Sequence, residues 1–212
     1  MRSTERSLGG GAILLLREWW PAAAFLAPVL VVQAVWSAQY EAAGHAAGHL
    51  GSATAIFPMV FVSAVLLWVL PGGGRRDPLL WLLVAAAIGS CLVVMVGNVR
   101  VVDAIGDDDW TDAQASALGP SRPGFESGHD LAMMGAGGSV LATMLIAVLL
   151  WRRGLASAYV AGAAAALSLL FPYWIFPGFG ILVLAISAVV ARSRRLRDAR
   201  GSGLGGLMIT SA

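Results

Sequence analysis

The chain has 212 residues, of which 58% are hydrophobic and only 12% charged, and its mean hydropathy is +0.77; in an ordinary soluble domain about a quarter of residues are charged. This excludes a soluble globular enzyme and predicts an all-α membrane protein, with length for six spans of about 20 residues and none left for a separate soluble domain. The formal charge of +2 averages two oppositely charged faces, so no nucleic-acid partner is implied.

The charge pattern predicts the topology. The sequence contains no lysine, and its arginines cluster at alternate junctions between apolar runs: Arg2, Arg6 and Arg17; Arg75 and Arg76; Arg152 and Arg153; then Arg192, Arg194, Arg195, Arg197 and Arg200. Arginine-rich junctions stay in the cytoplasm. The expectation is therefore a six-transmembrane-helix bundle in a bacterial cytoplasmic membrane, with both termini cytoplasmic and a folded extracytoplasmic loop at about 98–130. The membrane domain would cover 1–191, followed by a basic, glycine-rich tail over 192–212. Its five arginines would bind anionic inner-leaflet lipid at about 1 kcal/mol each.

In chain order, the first span is expected at Trp19–Gln39, bent at Pro28, and Gln33 is the one strongly polar side chain deep in a predicted span. The second covers Ser52–Leu70 and ends at the turn Pro71-Gly-Gly-Gly-Arg-Arg-Asp-Pro78. The third starts at Leu79 and is apolar to Gly97, with a helical pattern that continues to Ile105. The fourth is Leu131–Trp151. Leu155–Val190 is too long for one span, and Phe171-Pro172-Tyr173-Trp174 divides it into a hairpin of two short helices. Small residues recur at packing spacing as Gly135, Ser139 and Thr143, and as Ser157, Ala161 and Ala165; such stripes serve contacts within the bundle or between subunits equally well. Cys91, the sole cysteine, lies within the third run as a packing residue.

The turn Trp151-Arg152-Arg153-Gly154, the alanine-rich run after it, the elbow Phe171-Pro-Tyr-Trp-Ile-Phe-Pro177 and the basic tail together resemble the layout of small six-span integral membrane proteins of unknown function common in actinobacteria. The resemblance covers roughly the C-terminal third of the chain. It implies a fold and transfers no functional residue.

The loop holds most of the polar residues. Thr111-x-x-Gln114 matches a capping box, residues 113–118 favour helix and Gly119-Pro120 stops it, so a short helix is expected, with Trp110 and Phe125 available to pack a cap. Ser127 and Asp130 have the spacing of a second capping box at the start of the fourth span, with His129–Asp130 as an acid-base pair the alternative. Asp107, Asp108, Asp109 and Asp112 lack the spacing of a calcium loop and read as a solvated patch. Arg100 and Asp103 are expected to pair on one helix face. Alternatively Asn98, Arg100, Asp103 and Arg122, with Gln33, would form an outward-facing site for an anionic small molecule or lipid.

His45 and His49 stand four apart, the spacing that puts two imidazoles on one helix face for copper or zinc. They belong to a direct duplication, Ala-Ala-Gly-His45 and Ala-Ala-Gly-His49, whose glycines argue against a stable helix. His129 on the same side would complete a three-histidine site, with Glu41 as a possible oxygen ligand.

Catalytic and cofactor motifs are otherwise missing: the chain has no lysine for a Walker A loop and no histidine in the fifth or sixth span to activate a serine. The favoured reading is a non-enzymatic accessory or regulatory subunit that meets a membrane-protein partner or a second copy of itself and needs no cofactor. The alternatives are a small-molecule or lipid transport or binding subunit, and a metal-dependent membrane enzyme using the three histidines.

Overall fold

The computed structural model describes residues 35, 44–72, 76–106, 110–170 and 179–208. The expected first span apart from residue 35, and so Gln33, with Glu41, Asp107 to Asp109 and the 171–177 elbow, fall outside them. The described residues are helical, without a strand: α1 His45–Ala53, α2 Ile56–Val69, α3 Pro78–Ile105, α4 Asp112–Leu118, a 3-10 turn Gly119–Ser121, α5 Phe125–Arg152, α6 Ala158–Leu170 and α7 Phe179–Met208. Three stretches are long and apolar enough to cross a membrane, His45–Val69, Pro78–Ile105 and Phe125–Arg152.

Several helices start earlier than the sequence suggests, and each has a local cause. The first of these stretches begins at His45, because Gly44 takes φ 117 as the residue before the helix, a conformation open to glycine. The first of the duplicated glycines therefore starts a helix at His45, and the second, Gly48, lies within it, contrary to expectation. The stretch breaks at Thr54–Ala55, since Pro58 has no amide hydrogen to donate to the Thr54 carbonyl. Likewise α5 starts at Phe125 because Gly124 turns the chain with φ 89. Ser127 lies inside the helix, and its hydroxyl donates to the Gly124 carbonyl at 3.1 Å, so the expected Ser127–Asp130 capping box does not form. The Thr111–Gln114 box does form: the Gln114 amide donates to Thr111 Oγ1 at 3.3 Å and the Thr111 amide to Gln114 Oε1 at 2.8 Å. At the far end α7 passes residue 192 without a break and continues to Met208.

The long helices α3 and α5 run antiparallel and meet along a seam of small residues. A Cβ on Gly97 would lie 2.4 Å from the Ala132 nitrogen, one on Gly128 would lie 2.8 Å from the Gly97 carbonyl oxygen, and one on Gly135 would lie 2.6 Å from both the Ser90 oxygen and the Val94 nitrogen. In lipid, where the hydrophobic effect does not drive helices together, such close approach provides the attraction. Of the two expected stripes, Gly135 faces α3 while Thr143 lies beneath Gly180 of α7. Ser157 precedes α6 and accepts from the Val160 amide at 3.3 Å; the buried face of α6 is instead Ala161, Ala164 and Ser168. The buried hydroxyls of Thr143 and Ser168 donate to carbonyls one turn back, each at 2.8 Å, as polar groups in an apolar medium must.

The basic junctions meet at one end of the bundle. Asp77 caps α3 by accepting from the Leu79 amide at 3.0 Å and pairs with Arg153, just past α5, at 3.0 Å. Arg192 of α7 donates to the Trp68 carbonyl near the end of α2 at 3.0 Å, with its guanidinium 4.8 Å from the Trp68 ring centre. Trp68, Trp81 and Trp151 are exposed at this end, as tryptophans at a membrane interface are. Elsewhere Phe57, Leu82, Met134 and Leu141 present apolar side chains outward, which suits a lipid surround.

Gly135→Val should lower stability by about 1–3 kcal/mol, because the added methyls must push α3 and α5 apart. Gly137, two residues on, has nothing within 4 Å of its Cβ position, and Gly137→Ala should be neutral or stabilising by up to about 1 kcal/mol. Thermal unfolding of both variants in detergent checks the contrast. Asp77→Ala, which removes a cap and an ion pair together, should cost about 1 kcal/mol or more, and Arg153→Ala less than that, since Arg153 is exposed; the same melts rank the two.

Candidate metal centre

All three histidines of the chain converge at the end of the bundle opposite the basic junctions. One ligand nitrogen from each of His45, His49 and His129 can be chosen so that all lie within 4.8 Å of one another. Two come from α1, one turn apart on a single face, and the third from the first turns of α5.

The helix seam places them. His129 follows Gly128 and Asn98 follows Gly97, the two glycines at which α5 and α3 touch, so the backbone contact brings an imidazole and an amide to the same level. Helix α1 is held by its first amide, which His45 donates to the Trp110 carbonyl at 3.0 Å. Behind the imidazoles, Val101, Ile105, Trp110, Ala115 and Phe125 form a small apolar cluster that fastens the loop cap to α3. Phe125 stands edge-on to His129 with ring centres 4.7 Å apart and lies 6.3 Å from His45. A Cβ on Gly119 would reach within 2.3 Å of the Phe125 ring, so glycine there lets Phe125 occupy its place against the site.

The hydrogen bonds are directional. Asn98 is buried at 3% exposure and its Nδ2 donates to the Val94 carbonyl at 2.9 Å, which assigns its other terminal atom as oxygen. That oxygen, Oδ1, lies 2.5 Å from His49 Nδ1 and therefore accepts from an Nδ1–H. A neutral His49 then has its lone pair on Nε2, and this atom faces His45 Nε2 at 3.2 Å. The rings of His45 and His49 are 4.7 Å apart and those of His49 and His129 5.0 Å, both edge to face. All three are partly buried.

Asn98, Arg100, Asp103 and Arg122 are not gathered into one site. Asn98 faces His49, whereas Arg100 and Asp103 are exposed and form no ion pair with each other. Arg122 lies over Trp110, 5.5 Å from the ring centre. Gln33 is outside the described residues. A cavity of about 470 Å³ between α2 and α3, lined by Ser63, Leu67, Trp68, Trp81 and Val84 among others, offers no ionisable ligand set. Sequence reasoning found the three histidines and missed the role of Asn98; the signal was a lone amide beside a glycine late in an apolar helix.

No protein-family model matches the chain, and no curated protein or solved structure proved similar to it.

Proposed function

We propose that the chain is a multi-pass protein of the bacterial cytoplasmic membrane that binds one transition-metal ion through His45, His49 and His129, at the outer face. The observation that supports it most strongly is the convergence of every histidine in the sequence, from two helices far apart in the chain, on one point with a ligand nitrogen available from each. Three neutral imidazoles suit copper, zinc, iron or nickel. The Asn98–His49 contact has the form of the outer-shell hydrogen bond that metal-binding histidines make. This reading is preferred to the accessory-subunit expectation, which rested on the apolar spans and on the loop from Asn98 to Asp130 as the only elaborated surface. It also displaces the anionic-ligand reading, because Asn98 and Arg100 face different ways. The six-span layout, with both termini inside, rests on the arginine clusters and on the positive-inside rule.

Full-length protein purified without a histidine tag and incubated with zinc or copper should retain about one ion per chain, as expected for a single three-ligand centre. His49→Ala and His129→Ala should each lose most of it while keeping the melting profile of the metal-free parent; a wild-type protein that retains no metal removes the proposal. Protons compete for the same nitrogens, so retention should fall as pH drops through the imidazole range, which equilibrium dialysis across pH measures.

Orientation has a separate test in a Cys91→Ala background. A membrane-impermeant maleimide should label Ser121→Cys in intact cells and should label Ser157→Cys only after lysis. The reverse pattern would turn the bundle over.

A further inference from the structure

Building on that metal reading, we infer that Asn98 is the positioning residue of the centre, fixing the tautomer of His49 so that Nε2 is the ligand atom. His45 Nε2 and His49 Nε2 stand 3.2 Å apart, and one nitrogen from each of the three histidines lies within 4.8 Å of the others.

The observation that carries this is the asymmetry of the hydrogen bonds. Asn98 cannot turn its amide over without losing the bond to Val94 and setting an NH₂ against His49 Nδ1–H. His49 is thus held ready to bind through Nε2. A neutral His45 would offer its own Nε2 lone pair to an ion only in the tautomer that carries the proton on Nδ1. The outer shell on His49 is a neutral amide, where zinc sites often use a carboxylate. Three neutral imidazoles would leave the double charge of a zinc ion uncompensated, which would favour a small anion as a further ligand.

Cobalt(II) is the spectroscopic probe, with the full-length protein in detergent and zinc as competitor. Wild-type protein should bind cobalt with a change in its visible spectrum that zinc reverses. Asn98→Leu should weaken zinc binding about 10–100-fold, and Asn98→Asp, which restores an acceptor for Nδ1–H, should recover it. A purely structural role for Asn98 would lower the melting temperature of both variants and leave zinc affinity unchanged. Asn98→Leu binding zinc like wild type, or Asn98→Asp failing to recover the affinity, overturns this inference while leaving the metal reading intact. Failure of wild-type protein to bind cobalt, zinc or copper removes both.

Discussion

The contact on which the rest of the molecule depends is the meeting of two backbones at Gly97 and Gly128. A side chain at either position would collide with main-chain atoms of the other helix, so α3 and α5 can approach this closely only where both lack a Cβ. In an apolar surround close packing is the main source of helix association. The same contact sets the register of α3 and α5. Because Asn98 and His129 each follow one of these glycines, the packing of the bundle and the assembly of the histidine cluster share one constraint.

The two ends of the bundle have contrasting chemistry. At one end Arg153, Asp77 and Arg192 tie the turns together through charged and carbonyl contacts, with tryptophans exposed around them. At the other, a short capped helix and the Trp110–Phe125 cluster build an apolar backing for three imidazoles. That backing matters electrostatically, since groups removed from water interact more strongly with one another and with a bound ion than exposed groups do. Exposed charges such as Arg100 and Asp103 remain solvated and take no part.

Much of this is legible in the sequence wherever the cause is local. The Thr111–Gln114 box is a four-residue pattern and forms as read, and the continuation of the third run to Ile105 follows from its helical spacing. The duplicated Ala-Ala-Gly-His was misjudged because glycine weakens a helix interior but favours the position just before one, and Gly44 occupies that position. Ser127 was misplaced for a related reason: Gly124 starts α5 earlier, leaving the serine inside. The small-residue stripes were visible, but which neighbour each one touches was not, since a stripe records only that something comes close.

By itself the sequence determined the apolar helices, the clustering of arginine at alternate junctions, and the identity of the donors: three histidines and the single asparagine. These properties follow from composition and from periodicity along one helix. The tertiary structure alone decided that His129 joins His45 and His49, that Asn98 faces inward to His49 while Arg100 faces outward, and that Phe125 backs the cluster. The reason is that register between helices is set where two backbones touch, at glycines distant from each other in the chain, and no local pattern records which glycine meets which.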